Sequence, residues 1–410
     1  MTIITKKFEN GLRFGFMAVP SPVAYCALSI KVGTRNEHPS LNGIAHMTEH
    51  MLFKGTATRS SVSINNYLES LGGELNAYTT KEETVIQATV LKEDLAKAVE
   101  LLCDLAFNSK FPEKELEKEK EVILEEIKSY KDSPSELIFD DFEEELFGGH
   151  PLAGNILGTP KSLKRISTRD IKEFTALNYR PENMSFSIVA DLPAEKCEKL
   201  VKRYFGNNEI ISDSIDSIVA EPIPPCIGGT VKVISKRSYQ THCVIGGRAY
   251  SFYDRRRLPL AILTNILGGP ALNSKLNQLL REKHALAYSV DASYTPFTDT
   301  GVFSVYFGTD KSNLDKCIAL VKKEFYLLKE REISERKLKA AKKQLLGQLA
   351  VSMDNAESQC LNIGKSLLVF GKVEPIEEIR NKIEKITANE IFETANEIFS
   401  EDNLITLIYK

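Results

Sequence analysis

His46-Met47-Thr48-Glu49-His50 is the most chemically pointed spacing in the chain. On a helix, positions four apart lie one above the other, so imidazoles at 46 and 50 can reach one metal ion. Glu49 projects beside them, close enough to hold a water bound to that ion. The neighbours Ile44, Met47, Met51, Leu52 and Phe53 are apolar. Burying His-Glu-His in such surroundings without a ligand is costly. The plain alternative, two histidines on the solvent face of an amphipathic helix, does not account for that setting.

A zinc site with three protein ligands needs one more donor and keeps a position open for water. The region that can supply it is a long helical pattern over 113–130, whose apolar Leu116, Ile123, Ile127 and Tyr130 define a buried face. At about 100° per residue, Glu119 and Glu126 fall together on one flank of that face, beside Val122, while Glu125 points away into solvent. Glu126 can therefore be a ligand and Glu125 cannot. Glu119, two turns earlier, is placed to hydrogen-bond a ligand rather than to be one. The other charges of this Glu/Lys-rich helix read as a solvated face with ion pairs.

These residues require elements to carry them. Strand-like stretches at 12–17 and 24–32 precede a helix over 44–52, and a second helix over 63–71 stops at Gly72-Gly73. Strands at 74–80 and 84–91 follow, then helices at 92–107 and 113–130, the alternating strand Met184-Ser185-Phe186-Ser187-Ile188, and a helix over 193–205. Asn, Pro and Gly residues between 206 and 230 mark a linker. The second half repeats the order. Strands near 230–234 and 241–249 lead to helices at 257–267 and 273–283, strands at 288–295 and 301–307, and long helices at 313–329 and 334–352. Phe111-Pro-Glu-Lys-Glu-Leu answers to Ile333-Ser-Glu-Arg-Lys-Leu, which identifies an internal duplication of an α+β unit. The expected domains are 1–210 and 230–410, joined by a linker over 211–229. Aligned on its helices, the second half places Ile262, Asn265 and Ile266 opposite His46, Glu49 and His50, and Gln348 opposite Glu126. It has no equivalent metal site.

His46-x-x-Glu49-His50, followed by Glu126 in Val-Ile-Leu-Glu-Glu126-Ile, resembles the pitrilysin/insulinase family of zinc metallopeptidases, whose inverted HxxEH motif marks the inverzincins. The likeness extends to Phe53-Lys54-Gly55-Thr56, Gly72-Gly73-Glu74-Leu75-Asn76-Ala77-Tyr78-Thr79, His150-Pro151 with Gly154 and Gly158, and Asn178-Tyr179-Arg180-Pro181. In the second half, Arg281 and Tyr288 match the family's Arg/Tyr pair, although His284-Ala285 stands where many relatives carry a glycine. The resemblance spans essentially the whole chain and points to the short, two-domain, processing-peptidase-like subgroup.

That resemblance implies a zinc endopeptidase with one Zn2+ per chain, held by His46, His50 and Glu126. Glu49 would be the general base that activates the water, with Glu119 in support. It implies that Asn76 and Ala77 lie on an edge strand pairing with substrate backbone, and that Arg281 and Tyr288 contact substrate and the developing oxyanion. The implied fold is α+β: two homologous domains, each a mainly antiparallel sheet packed with helices, forming halves of a clamshell chamber. At this length a whole chamber requires a dimer. Because the chain carries both the zinc motif and the Arg/Tyr pair, a homodimer acting on unfolded peptides is expected. The alternatives are an active subunit paired with an inactive one, or a non-catalytic scaffold subunit; the latter usually loses ligands or the base.

Composition narrows the rest. The chain has 410 residues, 42% hydrophobic and 27% charged, with a formal net charge of −3 and both signs interspersed. That is ordinary for a soluble globular protein of two domains and argues against nucleic-acid or membrane binding. Seven cysteines without paired short spacing read as reduced residues, and no stretch reads as a signal peptide or membrane span. A cytoplasmic location is expected. His38, His150, His242 and His284 are not expected to bind metal.

Overall fold

A computed structural model describes residues 2–206, 222–224, 227–236 and 238–410. Most of the linker expected at 211–229 lies outside the described residues. The first half runs β1 (Ile3–Lys7), β2 (Arg13–Ala18), β3 (Val23–Ile30), α1 (Ile44–Leu52), α2 (Ser61–Glu69), β4 (Glu74–Thr79), β5 (Thr84–Leu91), α3 (Leu95–Asn108), α4 (Glu113–Lys131), α5 (Pro134–Phe147), α6 (Pro160–Leu163), α7 (Thr168–Asn178), β6 (Met184–Ala190) and α8 (Ala194–Phe205). The second half runs β7 (Val231–Ile234), β8 (Thr241–Ala249), α9 (Arg257–Gly268), β9 (Ala287–Pro296), β10 (Gly301–Thr309), α10 (Leu314–Glu330), α11 (Glu335–Ser352), α12 (Ala356–Phe370), α13 (Ile376–Lys385), α14 (Ala388–Ile398) and β11 (Ile405–Tyr409). The helix expected over 273–283 is π-helical from Asn277 to Lys283.

Two sheets result. The first is six-stranded in the order β1-β2-β6-β3-β5-β4, the second five-stranded in the order β7-β11-β8-β10-β9. Without β1, the two orders superimpose strand for strand. Each has a single parallel pair at the same place, β2 with β6 and β11 with β7, and antiparallel pairs elsewhere. This α+β architecture carries the duplication in its topology.

The compact units are not consecutive blocks of chain. One consists of residues 1–128, 154–221 and 351–375; the other consists of 129–153, 222–350 and 376–410. The expected division between 1–210 and 230–410 is thus crossed twice, by α5 and by α12. In the first unit, α3 and α8 pack on one face of the sheet and α12 lies on β6, β3 and β2. This explains β6, which is buried along its whole length. Phe186 and Ile188 join the main core, while Ser185, Ser187 and Val189 face α12. The serines are small enough for a helix to approach closely, and Ser185 donates to the Gly364 carbonyl at 2.7 Å. Ile363, Leu367 and Cys360 of α12 are buried there, the two aliphatic side chains contributing roughly 1.5–3 kcal/mol each. In the second unit, α5 supplies Leu137, Phe142 and Leu146 to a core with Val244, Leu407 and Tyr409. No helix among the described residues is long and apolar enough to cross a membrane.

Candidate metal centre

Helix α1 begins at Gly43, which adopts φ +93° and offers no side-chain cap. Glu37 supplies the cap from outside the helix. Its Oε2 accepts from the Gly43 amide at 2.8 Å and from Asn42 Nδ2 at 2.9 Å, and its Oε1 accepts from the Ala45 amide at 2.8 Å. Those amides are donors that the first turn of a helix cannot satisfy internally. Burial pushes the Glu37 carboxyl up to about 7, against the pull of the Ala45 and Gly43 amides, Asn42 and nearby Lys81. The same corner packs against the loop ending at Gly158, where Asn42 donates to the Asn155 carbonyl. Gly158 has φ +72°, and a Cβ there would stand 2.4 Å from the Asn42 carbonyl oxygen. Ile44, Met47, Met51 and Leu52 bury one side of α1 in the core, leaving His46 and His50 partly covered. Their rings lie 4.6 Å apart, edge to face.

Helix α4 follows Phe111-Pro112, with Phe111 at φ +52°, and carries Glu113 and Glu115 in its first turn, where the helix dipole favours them. Leu116, Ile123 and Ile127 anchor it. On its outer side, Glu125 pairs with Lys128 and is 72% exposed, as the helical phase predicts. Glu119 is buried and Glu126 is partly exposed.

Donor atoms of His46, His50 and Glu126 all lie within 4.8 Å of one another, the only such convergence of three or more His, Cys, Asp or Glu among the described residues. His46 Nε2 stands 3.9 Å from Glu126 Oε2, and His50 Nε2 stands 3.6 Å from Glu126 Oε1. Ligands about 2.0–2.1 Å from a tetrahedral zinc sit about 3.3–3.4 Å apart, so these donors would draw together to hold the ion. Burial first, and His50 second, lower His46 to about 4, which keeps it the neutral imidazole that a metal ligand must be. Its Nδ1 is buried with no partner. His50 is held differently: its Nδ1 lies 3.0 Å from Glu119 Oε2, and Glu119 Oε1 takes a 2.7 Å ion pair from Lys54. Burial raises the Glu119 carboxyl, but the hydrogen bonds from Lys54 and His50 outweigh it and leave the group below its ordinary value.

Glu49 accepts a 2.6 Å hydrogen bond from the Thr79 hydroxyl at Oε2. Burial raises its carboxyl, offset by the Thr79 hydrogen bond and by nearby His50, with Glu126 adding to the rise. A half-buried carboxylate of raised basicity beside a three-donor cluster is suited to taking a proton.

Asn76 and Ala77 lie on β4, which pairs with β5 on one side and forms the edge of the sheet on the other. Arg281 and Tyr288 belong to the second unit. Arg281 sits in the π-helical stretch with its Nε 3.5 Å from Glu282, and Tyr288 opens edge strand β9 with 84% exposure. Between them Ala285 adopts φ +48°, so this chain forms a left-handed turn without glycine, closed by Ala285 N to Arg281 O and Leu286 N to Leu280 O. At the positions of the second half that align with the metal motif, Ile262 and Asn265 are buried in α9.

Glu37 has no role in the reading of the sequence, and Lys54 and Thr79 enter it only as parts of matching strings. Lys54 carries a sequence signal, since it lies one helical turn beyond His50. Glu37 and Thr79 reach α1 through the tertiary fold, which leaves no local signal.

Comparison with known proteins is consistent across the chain. Residues 17–160 match the family described as Insulinase (Peptidase family M16), and residues 165–345 match the Peptidase M16 inactive domain. An uncharacterized zinc protease of Bacillus subtilis (strain 168), YmxG, is 32% identical over 403 residues, covering 98% of this chain and 96% of its own. An uncharacterized zinc protease of Rickettsia bellii (strain RML369-C) is 35% identical over 398 residues, covering 96% and 94%. The solved structure of a protease from Helicobacter pylori superposes with a TM-score of 0.90 at 22% identity, covering 100% of this chain and 99% of that one, a likeness of fold.

Proposed function

The chain belongs to the insulinase family of peptidases, M16, and from that premise we propose that it is a zinc-dependent endopeptidase acting on unfolded peptides. The observation that carries this reading is the convergence of His46, His50 and Glu126 donors with Glu49 alongside. These three would hold one Zn2+ per chain. Zinc bound there would lower the pKa of a water ligand toward ~7 and polarise a peptide carbonyl.

The chain's own residues do the rest. Glu49, with Oε2 held by Thr79, takes a proton from the attacking water and returns it to the leaving amine, so the peptide bond is exchanged for a carboxylate and an amine. Glu119 and Lys54 hold His50. The open side of β4 at Asn76 and Ala77 offers main-chain groups to an extended peptide, a recognition mode that tolerates many sequences. Arg281 and Tyr288 take the roles their family counterparts have, contact with substrate and with the developing oxyanion. By resemblance to the family we propose a closed chamber built by a homodimer, with each chain bringing both the zinc motif and the Arg/Tyr pair, and from the unpaired cysteines among the described residues we propose a cytoplasmic location.

The test is cleavage of a quenched, unstructured peptide of roughly 20–30 residues by purified protein, with and without a metal chelator, alongside a native mass measurement. Chelator-sensitive cleavage by a dimer of identical chains supports the reading. Cleavage that appears only after a second, different subunit is added would replace the homodimer with a heterodimer.

A further inference from the structure

The Lys54 ammonium lies 2.7 Å from Glu119 Oε1, and the other oxygen of that carboxylate lies 3.0 Å from His50 Nδ1. A carboxylate paired with an ammonium can only accept, so His50 carries its hydrogen on Nδ1 and presents the Nε2 lone pair on the side of Glu126. From this chain of contacts we propose that Lys54 is a positioning residue that sets the zinc affinity of the centre, by holding Glu119 where it fixes the tautomer and orientation of His50. The inference rests on the zinc reading above and adds to it a residue that touches neither metal nor substrate.

Three observations favour it over a surface ion pair. The Glu119 side chain is 8% exposed and that of Lys54 25%, so the pair is shielded from water in a way that exposed pairs are not. The loop after Lys54 is held: Lys110 donates to the Gly55 carbonyl at 3.0 Å, Thr56 donates to the Arg59 carbonyl at 2.9 Å, and the Thr56 hydroxyl donates to Asp104 at 2.7 Å. The ammonium therefore stands on a firm support. The third is an asymmetry between the two histidines. His46 Nδ1 has no partner, so orientation of the pair by hydrogen bonding falls on His50 alone. Removing Lys54 leaves Glu119 free to rotate away from His50, while Leu116, Ile123 and Ile127 continue to anchor α4.

The test is a competition titration of metal-free protein with zinc and a chromogenic chelator. It compares wild type with Lys54→Met, Lys54→Gln, Lys54→Arg, Glu119→Gln and the Lys54→Met/Glu119→Gln double variant, with thermal melts as a control for folding. Lys54→Met is expected to weaken zinc binding by about tenfold, the lower end of what loss of an outer partner costs, and Lys54→Arg to stay within about threefold of wild type. In the Glu119→Gln background the Lys54 substitution should add less than about threefold, because both act through one hydrogen bond. Unchanged affinity in Lys54→Met, or equal losses in both backgrounds, would overturn the inference. So would failure of both Lys54→Met and Lys54→Gln to fold, which would assign Lys54 to the stability of the loop. Wild type that binds no zinc would remove the zinc reading and this inference together. Wild type that binds zinc but cleaves no peptide would count against the peptidase alone.

Discussion

Thr79 and Glu49 belong to different elements, a sheet edge and the motif helix, and a 2.6 Å hydrogen bond from the hydroxyl to Oε2 joins them. The strand proposed to receive substrate thus also orients the proposed base. Position and chemistry are linked through one side chain.

Thr79→Val keeps the shape of the side chain and removes the donor. We expect kcat to fall by about ten- to a hundredfold, as the ~1.5–3 kcal/mol that hydrogen bonds to charged groups contribute implies, while bound zinc stays at the wild-type level. Steady-state kinetics with metal analysis check this; an unchanged kcat would detach Thr79 from the base.

Glu37 makes a prediction about stability and pH. Its carboxyl is raised from 4.5 to about 7, so its contribution is fully present below about 4.5 and is lost as pH rises through about 7. Wild type should lose on the order of 3 kcal/mol over that window from this group. Glu37→Gln should not show this fall. Denaturant unfolding at pH 5 and pH 8 gives the comparison, and identical slopes for the two proteins would remove Glu37 as the source.

Gly158→Ala places a Cβ 2.4 Å from the Asn42 carbonyl, at a backbone φ of +72° that also disfavours alanine. The corner must shift, and with it the start of α1. The expected result is a lower melting temperature together with weaker zinc binding. A stable variant with wild-type zinc affinity would show that this corner does not position the histidines.

Gly364→Val tests the helix exchanged between the halves. A Cβ there meets Ser29 Oγ at 2.7 Å and Ser187 Oγ at 3.2 Å. Forcing α12 off the sheet should cost about 2–3 kcal/mol in unfolding free energy, read as a lower urea midpoint.

Legibility followed the range of the forces involved. The helix from 44 to 52 and the helical phase that separates Glu119 and Glu126 from Glu125 were readable, because spacing along one helix decides them. The strand at 184–188 was readable from alternation, but alternation does not say what lies against its serine face. That face is covered by α12, and nothing in an amphipathic helix pattern names the sheet it will cover. For the same reason the exchange of α5 and α12 was not visible, and the tail of the second half, from α12 to β11, received no reading. The helix around Arg281 was readable as a helix, but its π-helical hydrogen bonding leaves no separate mark in the residue pattern. Glu37 caps a helix from outside it, so no capping pattern in the sequence reveals it. At Ala285 the missing family glycine left the turn open, and the backbone takes the left-handed conformation with an alanine.

The central claim is that Glu49 acts as a base beside a zinc ion held by His46, His50 and Glu126. Its most direct test compares cleavage of a quenched, unstructured peptide by wild type and Glu49→Gln, both loaded with zinc and with metal content measured. The account predicts chelator-sensitive cleavage by wild type and loss of at least about a hundredfold in Glu49→Gln at equal zinc content. Equal cleavage by the two proteins, or no cleavage by zinc-loaded wild type across peptides of varied sequence, would contradict it.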